Sequence, residues 1–467
     1  MKFAIHRARV ALLTALLLTD MTVSSAGATG SAHSPALVDV QVSHDAFVAH
    51  SEPYVAENPR NPRVLVAGSK FFIDPAHYHF KIGTFFSANG GQSWADAGLL
   101  PGFAAYRLVS DVSFAFSPNG SLAYACVIAV NGLSTGVFVS RSRDGGRSWG
   151  APATVFLDTQ GIYFNDKPWI AVDSTRGPHR GAVYVAWNLD EGDRAGKGAN
   201  RPLTGIAVSH SADYGKTFSP LVVVSRFDNQ HFAIGATPQV TPNGRLSIAF
   251  LEMIGTGKQT REAMDLVSSA DGGITFSAPR AIVPAVFGLP NHLPHGIFRN
   301  LSLPAFAVSP ISGSMMIAWA DLRNGDADIL KSSSFDGGQT WSVPARVNHD
   351  RVHDGKDQFQ PALAVAPNGV YACAWFDRRF DPTDQLIDVV VAQSHNDGRT
   401  FGKNRRVTPH SWDPAIDAPR PDGPNKRDTF IGDYQGIAAD TRSVHPLWND
   451  TQNGRTQEIR TAAVPTG

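Results

Sequence analysis

Short apolar runs separated by turn-forming residues make up most of this chain. Ala263–Ser268 and Thr275–Val283 are two such runs, and their length and alternation are typical of β-strands. Neighbouring runs such as Leu303–Val308 and Ser314–Trp319 are joined by short segments rich in Pro, Gly and Ser, which favour turns. Helical periodicity is nowhere sustained. The pattern therefore predicts an all-β protein.

A turn sequence of eight residues, S-x-[D/N]-x-G-x-[S/T]-[W/F], recurs six times along the chain, and we refer to its copies as octamer turns. The copies begin at Ser87, Ser142, Ser211, Ser269, Ser334 and Ser394. Their starts lie 55, 69, 58, 65 and 60 residues apart. The Asp or Asn is expected to bind backbone N–H groups two residues on, while the Gly supplies a positive φ and the aromatic residue packs inward.

The spacing of the octamer turns accommodates one four-stranded sheet per repeat. Sheets of this size arranged around a ring form a β-propeller, which leaves only short strand edges exposed. The segment Phe430–Val464 adds a further unit of three strand-like runs without an octamer turn, and Leu37–Val42 would supply its fourth strand. The sequence predicts a seven-bladed propeller closed by that N-terminal strand, with six blades as the alternative.

The octamer turns resemble the Asp-box, or BNR repeat, of bacterial and animal sialidases and their relatives. The resemblance covers nearly the whole chain after residue 36 and implies a single sialidase-like propeller domain at residues 37–467. In that family the repeats lie on the face opposite the active site, so they indicate the fold and not the chemistry. Site residues are therefore expected on the other face, in loops joining second to third strands and one blade to the next.

The first residues have the three parts of a secretory signal peptide. Basic residues precede a short apolar run, Val10–Leu18, and the small residues Ala26–Ala28 follow it. The run is too short to span a membrane. We expect cleavage after Ala28, so that residues 1–28 form the signal peptide and residues 29–36 a loose N-terminal tail. The protein would then be secreted, to the extracellular space or the periplasm.

Charge and cysteine content narrow the possible functions. Because 41 Lys and Arg balance 41 Asp and Glu, the chain lacks the overall basic charge of a nucleic-acid-binding protein. Cys126 and Cys373 lie in similar strand-like runs and are expected to be buried free thiols rather than a disulfide. No zinc-protease or EF-hand motif occurs, and the sequence predicts neither a metal nor a cofactor. It makes no prediction of the oligomeric state.

A sialidase-type site needs a defined set of side chains. Three Arg side chains hold the substrate carboxylate, a Tyr activated by a carboxylate attacks the anomeric carbon, and an Asp supplies the proton. Phe298-Arg299 followed by Leu303-Pro304-Ala305 resembles the F-R-I-P motif of the family, although that motif lies in the first blade of sialidases. Trp319–Arg323 with Asp326 resembles the downstream Arg and acidic segment, and Asp433–Gly436 resembles the segment with the nucleophilic Tyr.

The resemblance and the loop positions together give the candidate site. The candidate catalytic residues are Tyr434, Asp326 and Glu252, and the candidate substrate-binding residues are Arg299, Arg323, Arg107, Arg379 and Asp321. Structural roles are the alternatives: a salt bridge for Arg299, a loop cap for Asp321, and a hydroxyl without catalytic duty for Tyr434. The charges of Asp166-Lys167 are expected to pin a loop rather than to catalyse.

Three classes of function fit these features. The favoured class is a secreted, exo-acting glycoside hydrolase of the sialidase type, which removes an acidic sugar from glycans with retention through a Tyr adduct. The second is a propeller polysaccharide lyase, in which a His or Tyr takes the proton next to a uronate carboxylate that an Arg neutralises. The third is a non-catalytic propeller that binds a glycan or a protein partner.

Overall fold

The computed structural model describes residues 37–192, 203–255, 260–420 and 428–466. The predicted signal peptide and N-terminal tail lie outside these residues, and both stay predictions. The regular secondary structure of the described residues is β-strand, apart from one turn of 3-10 helix at Pro75–His77. It begins with a short strand, β1 (Asp39–Gln41). No helix of the described residues is long and apolar enough to cross a membrane.

Two eight-stranded sheets each consist of two four-stranded antiparallel units. The first sheet contains β2 (Val48–Glu57), β3 (Leu65–Asp74), β4 (His79–Ser87), β5 (Ala95–Leu99), β6 (Leu108–Phe116), β7 (Ala123–Asn131), β8 (Ser134–Ser142) and β9 (Ala153–Asp158). The second contains β10 (Tyr163–Val172), β11 (Val183–Glu191), β12 (Leu203–Ser211), β13 (Val222–Val223), β14 (His231–Val240), β15 (Leu246–Ile254), β16 (Arg261–Ser269) and β17 (Arg280–Val286). A single parallel pair joins the two units of each sheet: Phe80 with Leu108, and Thr204 with Phe232.

Three smaller sheets follow along the chain. Two of them have four strands each, β18 (Ala305–Val308), β19 (Met315–Asp321), β20 (Asp328–Ser334) and β21 (Ala345–Arg346), then β22 (Gln358–Val365), β23 (Tyr371–Asp377), β24 (Asp388–Ser394) and β25 (Arg405–Arg406). The last contains β26 (Gly436–Ala439), β27 (Ser443–Asp450), β28 (Glu458–Ala462) and β29 (Val464–Pro465).

The N-terminal strand β1 completes this last sheet. It pairs antiparallel with β28, with Asp39 opposite Ala462 and Gln41 opposite Arg460. The Arg460 guanidinium also binds the Asp39 carboxylate at 2.7 Å. Strand β1 therefore joins the last sheet, as the sequence predicts.

The first strand of each four-stranded unit packs against the first strand of the next unit. We call these seven strands the inner strands, and they are β2, β6, β10, β14, β18, β22 and β26. The series of contacts runs in chain order and returns from β26 to β2. Between the units lie buried aromatic side chains, of which Trp187, Trp319, Trp375 and Trp448 are fully enclosed. Cys126 and Cys373 are buried free thiols, as predicted.

Each octamer turn is fastened by its own side chains. In the second copy the Ser142 hydroxyl donates to Asp144 at 2.7 Å and accepts the N–H of Gly146 at 2.8 Å. The same carboxylate accepts the N–H of Ser148 at 2.9 Å, four residues on rather than the expected two. Positive φ angles at Gly145 and Gly146 fold the chain back and bring Ser148 within reach. Trp94 and Trp149, the eighth residues of the first two copies, are buried as expected.

We predict that Asp144→Ala lowers the free energy of unfolding by roughly 1 kcal/mol, because it removes a side-chain cap from this turn. Chemical denaturation monitored by tryptophan fluorescence measures the change. Asp144→Asn is the matched control, since Asn89 and Asn396 make equivalent contacts in two other octamer turns. An alanine variant as stable as the asparagine variant would contradict the prediction.

Candidate active site

A bulge interrupts five of the inner strands near their first residues. In β2, β6, β10, β14 and β22 the register with the second strand shifts at this point. The residues at the shifts are Glu52, Asp111, Lys167, Gly235 and Gln360, all with φ between 46° and 73°. A side chain at positive φ costs on the order of 1 kcal/mol or more, and bulges of this kind re-aim side chains beside functional sites. Four of these residues are not glycine, so each has an unfavourable backbone conformation. Because the four lie near the starts of inner strands, they indicate a functional site there.

The bulges lie at the edge opposite the octamer turns. Each octamer turn follows a third strand, and third strands run in the same direction as inner strands because all neighbours within a unit are antiparallel. The ends of the third strands therefore share an edge with the ends of the inner strands. The starts of the inner strands, which carry the bulges, form the other edge.

A pocket of about 400 Å³ opens at this edge. The charged residues that line it come from several units and are Glu52, Lys70, Asp111, Asp166, Lys167, Arg299 and Arg420. Aromatic and aliphatic side chains, including Phe72, Phe80 and Phe430, form the rest of the wall. A largely apolar cleft with a few converging charged groups is the usual form of a small-ligand site.

Two of the lining cations, Lys167 and Arg299, belong to a buried ionic network around Asp433, which we call the Asp433 hub. The Lys167 ammonium lies 2.6 Å from Oδ2 of Asp433, and the Arg299 Nε donates to Oδ1 at 2.9 Å. Burial opposes the charge of Asp433, but these two cations outweigh burial and hold its pKa well below the ordinary value. The Asp433 N–H in turn donates to the Glu52 carboxylate at 3.3 Å. The hub thus ties the first, third and last units together.

Asp111 has the electrostatics of a proton donor. Burial raises its pKa well above the ordinary value, and the carboxylates of Glu52 and Asp166 raise it further. The nearby ammonium groups of Lys167 and Lys70 only partly oppose this effect. A neutral carboxylic acid beside other carboxylates in a pocket is the arrangement that separates an acid from a base in catalysis.

The other two carboxylates of the pocket differ in their surroundings. Glu52 is almost fully buried, and its carboxylate lies 3.2 Å from the ammonium of Lys70. Asp166 keeps 29% of its side chain exposed and accepts the backbone N–H of Lys167 at 3.0 Å. Asp166 is therefore the carboxylate that a bound molecule reaches most directly.

Tyr434, a candidate catalytic residue from the sequence, lies beside a second and smaller cavity of about 80 Å³. Its ring packs against Trp169 with centroids 4.8 Å apart. Among the described residues its buried hydroxyl has no hydrogen-bond partner, and burial raises its pKa well above the ordinary value, with the carboxylates of Asp111 and Glu52 adding to the shift. The hydroxyl therefore stays protonated in this arrangement. Its role as nucleophile remains a prediction.

Arg299 is the one sequence candidate among the described residues that line the larger pocket. Arg323 and Arg379 are bound to the carboxylates two residues before them, Asp321 and Asp377. These carboxylates also accept the indole N–H of Trp319 and Trp375. This pairing matches the loop-cap alternative for Asp321, and substrate contacts by either Arg remain a prediction.

The other three candidates, Glu252, Asp326 and Arg107, are not among the described residues that line the larger pocket. Glu252 is fully buried against Arg226 and Asp265, and burial raises its pKa. Asp326 accepts the N–H of Gly355 at 2.8 Å. Arg107 donates to the backbone carbonyl of His77. The structure therefore does not bring these side chains together with Arg299.

Sequence reasoning did not select Glu52, Lys70 or Arg420, and for Asp166-Lys167 it favoured a structural role over a catalytic one. A local signal exists for three of the bulges, because Glu52, Lys167 and Gln360 each immediately precede a Pro. Proline lacks an N–H and is tolerated in strands mainly at edges and bulges. A polar residue followed by Pro within an apolar strand therefore marks this edge of the sheet.

No family model and no curated protein matches the chain. Among solved structures it is similar to the GH93 α-L-arabinofuranosidase of Fusarium graminearum in complex with arabinobiose, with 11% identity, a TM-score of 0.50, and 76% of this chain and 96% of that chain covered. It is also similar to an α-L-arabinanase of Penicillium chrysogenum, with 11% identity, a TM-score of 0.47, and 92% of this chain and 98% of that chain covered. The Trypanosoma rangeli sialidase is a third similar structure, with 12% identity, a TM-score of 0.42, and 89% of this chain and 55% of that chain covered. The likeness to the arabinofuranosidase shows the fold alone, an all-β fold of the propeller type.

We predict that Asp433→Ala lowers the free energy of unfolding by about 3–5 kcal/mol, because it leaves two buried cations without their shared carboxylate. Arg299→Ala provides the comparison and should cost less, since Lys167 and Asp433 still neutralise each other. Urea denaturation of both variants measures the difference. A loss below about 1 kcal/mol in the Asp433 variant would show that the hub does not support the fold.

Proposed function

We propose that this protein is a glycoside hydrolase whose reaction takes place in the larger pocket. The observation that carries the proposal is the raised pKa of Asp111 in a pocket where Asp166 stays accessible. Glycosidases generally cleave with two carboxyl groups, one protonated as the acid and one ionised as the nucleophile or base. Asp111 would donate the proton to the leaving oxygen, and Asp166 would attack the anomeric carbon or activate water.

The pocket also favours an acidic sugar as substrate. Arg420 lines it, and Nη1 of this side chain is buried without a hydrogen bond among the described residues, while its ion pair with Asp428 is long, at 3.6 Å. Arg299 and Lys70 add two further cations, each in closer contact with a carboxylate. Arg420 would therefore bind the sugar carboxylate, with Arg299 beside it. This arrangement supports the sialidase-type substrate suggested by the sequence, acted on outside the cell after export.

We further propose that the seven units close into a ring around this pocket. The inner strands contact one another in a complete cycle, and β1 supplies the outer strand of the last sheet. Full closure is the arrangement that removes exposed sheet edges. It would also place the five bulges around one central axis.

The first experiment compares fluorophore release from 4-methylumbelliferyl sialic acid and from a 4-methylumbelliferyl arabinofuranoside by the purified protein. We expect release from the sialoside, and a loss of at least about 100-fold in kcat for Asp111→Asn, because the amide cannot donate the proton. Asp144→Asn, at the opposite edge, is the matched control and should retain activity. No release from either substrate, by a folded protein, would favour a propeller that only binds glycans.

A parallel variant decides the nucleophile. Asp166→Asn should lose release as severely as Asp111→Asn, while Tyr434→Phe should retain it, because Tyr434 lines the smaller cavity and not the larger pocket. Loss in Tyr434→Phe with activity kept in Asp166→Asn would assign the nucleophile to Tyr434 and overturn our choice.

The pH dependence tests the acid separately. Asp111 must be protonated to act, and its raised pKa keeps it protonated above the range of an ordinary Asp. We therefore expect kcat/KM to fall as the pH rises through that raised pKa. The residual activity of Asp111→Asn should lack this alkaline fall. An unchanged alkaline fall in that variant would exclude Asp111 as the acid.

A further inference from the structure

Three metal-ligating side chains meet at the edge that carries the octamer turns, away from the proposed active site. Glu57 ends β2 of the first unit, Asp440 directly follows β26 of the last sheet, and His445 lies in β27. One donor atom from each lies within 4.8 Å of the other two. The ligand set therefore spans the two units that carry the beginning and the end of the described chain.

Two of these side chains lack the partners that buried polar groups normally have. His445 is 2% exposed, and its Nδ1 has no hydrogen-bond partner among the described residues. The buried Oε2 of Glu57 has none either. An unsatisfied buried polar atom is destabilising, so two at one place indicate a missing partner, and a cation that accepts lone pairs satisfies both.

A cation fits as that partner. The Glu57 and Asp440 carboxylates lie close enough to repel each other when both are ionised, and a divalent ion between them would remove that repulsion.

Local structure holds the ligands in place. Oδ1 of Asp440 accepts the backbone N–H groups of Arg442 and Ser443 at 2.5 and 2.6 Å, which fixes the turn between β26 and β27. The Gly91 backbone of the first octamer turn lies directly over the His445 ring, so that an added Cβ would approach Nδ1 to 3.1 Å. A side chain at this position would therefore crowd the site.

We propose that Glu57, Asp440 and His445 bind one zinc ion that links the first unit to the last. One imidazole and two carboxylates are ligands that zinc accepts, at about 2.0–2.2 Å, with water in the fourth position. Calcium would need six to eight oxygen ligands, more than this set provides. The ion would act as a fastener between the two ends of the fold, independently of the proposed hydrolase activity.

The test measures bound zinc and thermal stability. We expect the purified protein, after chelation and reloading, to hold about one zinc per chain by mass spectrometry, and its Tm to rise by several degrees with zinc. Glu57→Gln and His445→Gln should each weaken zinc binding at least about tenfold and lose the Tm increase. Asp173→Asn is the matched control, because Asp173 follows β10 as Asp440 follows β26 and also binds a backbone N–H in its turn. It should retain both.

Three results would overturn the assignment. The first is a wild-type protein that takes up no stoichiometric zinc and shows no change in Tm. The second is undiminished zinc binding by variants whose circular dichroism confirms that they are folded. Cobalt provides a readout that needs no variant, since loading the wild type should give the visible absorption of a tetrahedral site, and zinc should abolish it. A wild type that binds cobalt without this absorption would also exclude the site.

Discussion

The buried carboxylate of Asp433 is the group on which the central part of this protein depends. It neutralises Lys167 and Arg299, which come from distant parts of the chain, and its backbone N–H binds Glu52. Moving a charge out of water costs several kcal/mol unless a partner compensates, so both Lys167 and Arg299 depend on this carboxylate. The hub also helps to hold Glu52 and Lys167 at positive φ angles that neither residue favours.

The two edges of the fold are built on opposite principles. An octamer turn satisfies its polar groups within eight residues, as Ser142, Asp144 and Ser148 do. The pocket instead is lined by single side chains from several units. Its cations do not fully offset the burial of its carboxyl groups, as the raised pKa of Asp111 shows. Stability is therefore local at one edge, while chemistry at the other edge requires the whole assembly.

This contrast explains which features the sequence predicts. The strands, the octamer turns and the pairing of β1 follow from periodicity and turn residues, which act over a few positions. Arg299 is found because a motif precedes it, and Asp321 because Trp319 lies two residues before it. Lys70 and Arg420 have no such neighbours, and the Pro after Glu52 marks a bulge but not a charge, since the pocket that they share is lined by residues from 52 to 430. Tyr434 stands beside the hub in sequence, yet its ring lies next to a different cavity, and sequence adjacency does not show this.

Because the Asp433 hub connects the first and last units, the geometry of the pocket depends on the contact between them. Asp433 precedes the last sheet and Glu52 belongs to the first unit, so separating these units would pull the hub apart. The pairing of β1 with β28 involves only three residues, and Arg460 with Asp39 adds one ion pair. These contacts are modest compared with the cost of the buried charges they protect. A zinc ion held by Glu57, Asp440 and His445 would strengthen the same junction from the opposite edge, where it cannot disturb the charges of the pocket.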